Sequence, residues 1–407
     1  MSQLANKSFF YLALAYLIVV VMESISWPLG NLFFFENAMF IPAFLFANYV
    51  SFKERGSYLP IFAITIIVFI SFAIIELIAS KSFIIGHFLY LLRWLKYAVV
   101  FVLAQYFSNS YKHQETWNFV KTLFLVIVGF NVVILTNPFD LGAHLQSLHA
   151  PKDYFNLSNF HEPGVFRLGG TFANPNDNGM FFSLFFILFT FHSRLKDHYF
   201  SALALSMVVF CQSRTAILMC IIIILVSLFY RVIHTRITMR QWFKTAAISL
   251  LAIGLFTFFK LGYIRTLFTG QAFNSPSFLS RIENFIAVYD ISYQSMFFGN
   301  GVIDNQVAFY GSYLDSEVAV VFAQFGIIGL IIWFAFVCAM FIISRNKYVE
   351  NKVYFSLTLL FFGISFTNIS LFHTQLGLLL FVCLGISTSG KEKIEGNANK
   401  KTRDKPS

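Results

Sequence analysis

The sequence predicts an all-α fold, a polytopic transmembrane helical bundle of about twelve spans with no soluble domain. Apolar residues make up 57% of the 407 positions and charged residues only 12%, where a soluble globular domain carries about 25% charged residues. The mean hydropathy of +0.70 means more apolar surface than one water-facing core can hide, so lipid must solvate much of the exterior. Apolar runs of roughly 20 residues, the length a helix needs to cross a bilayer, also recur along the chain.

The first run, 9–28, follows a single Lys7 and has no small-residue cleavage site, so it is expected to be a retained helix and not a signal peptide. The run at 32–50 holds Glu36, 59–79 is uninterrupted, and 83–107 carries Arg93 and Lys96. Then come 118–137, 178–193, 199–212, 214–230 and 245–260, with almost no loop between 212 and 214. The last three runs are 318–343, 353–371 and 374–389; neither 318–344 nor 353–390 contains an Asp, Glu, Lys or Arg. Residues 1–389 therefore read as a single integral membrane domain, and 390–407 as a polar, basic, disordered cytoplasmic tail. Cys211, Cys220, Cys338 and Cys383 all lie in apolar runs, spaced neither for a metal nor for a disulfide framework, and no cofactor is expected.

Basic residues orient the bundle. With the amino terminus in the cytoplasm, 20 of the 29 Lys and Arg fall on inner segments, seven fall outside, and Arg93 and Lys96 fall within a span. That asymmetry accounts for the net charge of +10 without a nucleic-acid partner. Two connections are long, about 138–177 and 261–317, and both are external. Loops of that length are usually functional or disordered, and their aromatic content with interspersed Asp, Glu and Arg favours function.

The densest motif is Arg167-Leu-Gly-Gly-Thr-Phe-Ala-Asn-Pro-Asn-Asp-Asn178, just before a span. Asn174 suits a helix cap, Pro175 the first turn, and Asp177 the positive end of the helix dipole. Arg167 has no such local explanation, and with Asn174 and Asn176 it suits an anion at a helix start. In Gln212-Ser-Arg-Thr215 the outer-face Arg214 either snorkels to headgroups or has an anionic partner. Arg281, in Ser280-Arg-Ile-Glu283, precedes Phe298-Gly-Asn-Gly301. Arg93 and Lys96 share one helix face, where two intramembrane cations need acids or a ligand; Glu76 on the preceding helix is the natural partner. Tyr313-Leu-Asp-Ser-Glu317 leads into the span with Gly326 and Gly329, which read as small residues for helix packing. Asp315 and Glu317 are solvated surface charges, or Asp315 is a general base beside the external arginines.

Three external arginines, Arg167, Arg214 and Arg281, imply a large, strongly anionic ligand, since guanidinium pairs well with phosphate oxygens. No Gly-rich phosphate loop or paired-Asp metal motif is present, and the outer face has no nucleotide pool. A lipid-linked pyrophosphate entering sideways from the membrane fits these constraints.

The ordered set Arg167-Leu-Gly-Gly-Thr-Phe-Ala-Asn-Pro-Asn176, Ser213-Arg214, Ser280-Arg281, Phe298-Gly-Asn-Gly301, Tyr313-Leu314 and Phe325-Gly-Ile-Ile-Gly329 resembles the O-antigen polymerase and O-antigen ligase superfamily over roughly 85–385. The resemblance implies a GT-C-like membrane glycosyltransferase using undecaprenyl-pyrophosphate-linked sugars, without a metal or cofactor, at the outer face of the bacterial inner membrane. By motif, Arg167, Arg214 and Arg281 would engage the pyrophosphate, with Tyr313 also in the site. Ligases of the superfamily carry a His just before the Tyr-Leu pair; here Phe309-Tyr-Gly-Ser stands there, which favours a polymerase of lipid-linked repeat units. Asp315 is then the expected base by position, with His149 and His161 in reserve. A chain-length regulator and a flippase are the implied protein partners. A ligase, or a transporter of the lipid-linked unit, are the alternatives.

Overall fold

The computed structural model describes residues 15–16, 32–53, 59–80, 85–110, 113–136, 138–140, 168–170, 174–192, 196–234, 276–303, 314, 316–345, 351–368, 371 and 374–388. Among them the chain is all-helical: α1 (Leu32–Lys53), α2 (Leu59–Ala79), α3 (Ile85–Leu91), α4 (Arg93–Ser110), α5 (His113–Thr136), α6 (Pro175–Phe191), α7 (His198–Cys211), α8 (Arg214–His234), α9 (Pro276–Ser292), α10 (Glu317–Ile343), α11 (Asn351–Ser365) and α12 (Thr374–Ser387). The run at 9–28 (Ala15 and Tyr16 apart), the run at 245–260 and the tail from 390 lie outside the described residues.

Three stretches, Pro60–Ala79, Gly86–Asn109 and Glu317–Ile343, are long and apolar enough to cross a membrane. The surface of α2 is that of a membrane protein. Its Ile67, Ile70, Ile74 and Leu77 are exposed, while Ile61, Val68, Phe72 and Ile75 on the opposite face are buried. Water would not tolerate such a stripe, whereas lipid is as apolar as the stripe itself.

In lipid, helices associate through close packing and interhelical hydrogen bonds, because burial from water supplies no drive. The phenylalanines supply the packing. Helix α6 is central, in contact with α7, α8, α11 and α12. Phe124 of α5 meets the rings of Phe182, Phe185 and Phe189 on α6 and Phe200 on α7, with centroids 5.1 to 6.2 Å apart. Helix α4 is the second buried axis, packed along α12 and touching α1 and α2. The run expected over 83–107 bends at Leu92, between α3 and α4; there Arg93 donates from Nε to the Tyr90 carbonyl at 2.6 Å.

Helix α7 begins at a true cap. The Asp197 carboxylate accepts from the amides of Tyr199 and Phe200 at 3.0 and 3.3 Å, and from Lys121 Nζ at 2.8 Å. The Lys121 ammonium beside it holds this carboxyl below the usual carboxylate range. A depressed folded-state value makes the contribution complete above about pH 4 and lost as the pH falls through that lowered value. Asp197→Asn keeps the cap and should cost less than about 1 kcal/mol, while Asp197→Ala loses both and should cost about 1–2 kcal/mol. Thermal unfolding of the detergent-solubilised variants at pH 7 checks the ranking, and at pH 7 and 3 the Asn variant should show the smaller acid sensitivity.

The long apolar helix α10 is not one straight span. Gly326 adopts φ 63° and ψ −161°, a region open essentially to glycine alone. In place of the intrahelical bonds, the Ala323 and Gln324 carbonyls accept from Asn300 and Gly301 amides, both at 2.9 Å. The Ile327 and Ile328 amides donate to the Met296 and Phe297 carbonyls at 2.9 and 3.2 Å. The segment Met296–Gly301, which ends in the Phe298-Gly-Asn-Gly301 motif, thus plugs a helix break, satisfying four backbone groups that lipid could not. Residues 317–325 and 327–343 fold back as a helical hairpin, since Trp333 Nε1 donates to Glu317 Oε1 at 2.8 Å, where sixteen residues of continuous helix would rise about 24 Å. Gly326 is therefore the hinge of a reversal and not a packing glycine. A Cβ there would sit 2.4 Å from the Phe297 carbonyl oxygen. Gly326→Ala should destabilise by about 3 kcal/mol or more. Gly129→Ala on α5, whose Cβ would meet nothing within 4 Å, should shift the unfolding midpoint little.

A polar cluster at one end of the bundle

Four elements meet around Glu317. Ser316 caps α10 and donates from Oγ to the Ser365 carbonyl at 3.2 Å. Glu317 is fully buried and is not the solvated surface charge its position suggested. Its Oε1 accepts the Trp333 indole N–H, and its Oε2 accepts the Leu371 amide at 2.6 Å. Tyr97 of α4 donates its hydroxyl to the carbonyl of the same Leu371. One carboxylate thus ties both arms of the α10 hairpin to the α11–α12 connection, and Tyr97 ties that connection to α4.

The α11–α12 connection reaches the other way to the starts of α6 and α8. Asn368 Nδ2 donates to Asp177 Oδ1 at 2.6 Å, and Thr367 Oγ1 to Thr215 Oγ1 at 2.8 Å. The start of α6 is built as expected: Asn174 accepts from the Asn176 amide at 2.9 Å, with Pro175 in the first turn. Arg214 opens α8 two residues after Gln212, whose left-handed φ of 48° reverses the chain, while the Ser213 hydroxyl accepts from the Ala216 amide at 3.4 Å. Behind this surface, buried Asn178 donates to Asn131 Oδ1 at 2.9 Å and to the Leu168 carbonyl at 3.3 Å. A Cβ on Gly170 would lie 1.9 Å from Asn131 Oδ1, so that glycine of the Arg167 motif is required by close packing.

Arg93 and Lys96 are both buried. The Arg93 guanidinium lies 3.4 Å from the centre of the Tyr90 ring, a cation–π contact. Tyr90 in turn donates to Gln324 Oε1 at 3.3 Å, which links this cation to the first arm of the hairpin. Glu76, the acid suggested for Arg93 and Lys96, is engaged by His87 Nδ1 at 2.6 Å and by the Val302 amide at 2.7 Å. It holds the end of the Phe298–Gly301 plug against α2.

Through Asp177 and Thr215 the structure brings the helix starts that carry Asn174, Asn176 and Arg214 to the α11–α12 connection, and Arg93 is linked to the α10 hairpin through Tyr90. Arg281 is on α9, which packs against α10; its Nε is buried and has no hydrogen-bond partner among the described residues. Arg167, Tyr313, Asp315, His149 and His161 lie outside the described residues. Glu317, Asn368 and Trp333 carry the assembly without having been sequence candidates. A lone Asn in the charge-free run 353–390 and a Glu immediately ahead of the charge-free run 318–344 are the signals that point to them.

No family model matches this chain, and no curated protein matches it. What fold and cluster define is a class: a helical membrane protein whose bundle carries, at one end, a network of buried polar groups with cations at its edge.

Proposed function

We propose that this chain is a polymerase of undecaprenyl-pyrophosphate-linked oligosaccharide repeat units, acting at the outer face of a bacterial inner membrane with both termini in the cytoplasm. The twelve-span GT-C-like architecture and the chain-length and flippase partners belong to the same proposal. The reaction is a single displacement. A hydroxyl of the incoming lipid-linked unit attacks the anomeric carbon of the growing chain, the glycosidic bond to the pyrophosphate breaks, and the hydroxyl proton passes to a base. Arg167, Arg214 and Arg281 would meet the charge growing on the pyrophosphate, with Arg93 and Lys96 as further cationic contacts and Asp315 as the base.

The observation that carries this reading is the placement of Arg214 on the turn that the polar cluster surrounds. Helix α7, capped at Asp197 and ending at Gln212, has 14 residues, about 21 Å against roughly 30 Å of hydrocarbon. With the Lys121–Asp197 pair at one surface, the Arg214 turn is recessed by about 9 Å from the other. In such a recess a cation acts on phosphate with little screening by water.

A second support is α9. Leu279, Ile282, Ile286, Tyr289 and Tyr293 are all exposed and fall at spacings of three and four on one face, while Val288 and Ser292 are buried. Arg281 lies on that buried side of the same helix. A helix with an exposed apolar stripe and a cation on its bundle-facing side suits a substrate with a prenyl tail and a pyrophosphate head.

The break in α10 favours one other reading, a transporter of the lipid-linked unit, since broken helices line many transport sites. Deletion of the gene separates the readings. A polymerase defect collapses the surface polysaccharide ladder to a single repeat unit, a transport defect removes surface glycan altogether, and long polymer held on the lipid carrier would mean a ligase.

A further inference from the structure

At the other end of the bundle α8, α10 and α11 enclose a cleft of about 710 Å³, within the size range of small-molecule sites. Its α8 wall begins at Val226, some twelve residues or about 18 Å along the helix from Arg214, so it is separate from the polar cluster. Arg345 and Lys352, both exposed, line it together with Ser227, Ser344, whose hydroxyl donates to the Phe341 carbonyl at 2.5 Å, and the buried Ser356. No carboxylate is among its described lining residues. The remaining wall is apolar, Phe341 and Phe355 among it.

We infer that this cleft holds the headgroup of an anionic phospholipid. Two cations with nearby hydroxyls provide a phosphate with charge and hydrogen bonds together, and basic pockets between membrane helices at a cytoplasmic surface are suited to such headgroups. The apolar continuation selects a lipid over free phosphate. Leu225, Ile221 and Leu218 step away from the cleft along α8 at spacings of four and three, all exposed, and give an acyl chain a path back into the membrane. The lipid would staple α8 and α11 to the end of the second arm of the α10 hairpin. This site stands independently of the chemistry proposed at the opposite end.

The test is a binding titration of the full-length protein in neutral detergent with dioctanoyl phosphatidylglycerol below its micelle concentration. Dioctanoyl phosphatidylcholine and inorganic phosphate are the comparison probes. Phosphatidylglycerol should bind saturably, and the Arg345→Gln/Lys352→Gln variant should lose about thirtyfold in affinity, given the typical strength of two such cations. The variant's lipid-free thermal midpoint is measured alongside, so that affinities are compared between folded proteins. Lys391→Gln/Lys393→Gln in the tail should bind as the parent does. Equal binding of phosphatidylcholine, or an unchanged affinity in the cleft variant, overturns the assignment. So does an equal loss in the tail variant, which would mean general charge density. Phosphate binding as tightly as the lipid would make this a free-anion site and overturn the lipid.

Discussion

Arg214→Ala should abolish polymer and leave single lipid-linked repeat units, with protein abundance near that of the parent. Removing one donor aimed at developing charge typically costs 10²- to 10³-fold in rate, enough to remove every rung above the first from a surface-polysaccharide gel. Arg214 is half-buried on a turn whose backbone geometry is set by its neighbours, the αL conformation of Gln212 and the Ser213 cap. Shortening its side chain therefore leaves the turn intact, and the fold should survive. Arg214→Lys keeps the charge but not the forked donor geometry and should fall between the two. A parental ladder from Arg214→Ala would end the polymerase proposal at this residue.

Glu317→Ala should instead be a stability defect, with both protein yield and unfolding temperature falling. The substitution leaves the Trp333 indole N–H and the Leu371 amide buried and without the acceptor they share. Each unsatisfied donor costs about 1–3 kcal/mol, so the two together cost about 2–6 kcal/mol. Glu317→Gln should rescue only partly. Its carbonyl oxygen can serve one donor, but its NH₂ then faces the other, donor against donor. Thermal unfolding in detergent orders the three proteins, and an alanine variant as stable as the parent would show that Glu317 does not hold the hairpin.

Local features of the fold were legible in the residues. The cap at Asn174 with Pro175 behind it, the start of α8 at Arg214, and the limits of α2 all follow from local rules: which residues accept from orphan amides, which fit a first turn, and how long an apolar run continues. These are interactions within a few positions of one another.

What could not be read there depends on partners far away in the chain. Gly326 within an unbroken apolar run has the look of a packing glycine, because the groups that make a break tolerable, the backbone of Met296–Gly301, lie some 25 to 30 residues earlier. Glu317 looks like a surface charge because its partners are sixteen and fifty-four positions away. Likewise Glu76 looks like the counter-ion of Arg93 until Val302, 226 positions on, takes one of its oxygens.

The sequence by itself determined that lipid is the solvent and that the apolar runs within the described residues are helical, since these follow from composition and run length; it did not show α9, which lies within the long connection 261–317 and carries Arg281. The tertiary structure decided which helix is broken, which carboxylates are buried, and which helix ends share a polar cluster. In a membrane every backbone or side-chain polar group must find a partner within the protein, and that partner is chosen by the packing of distant segments.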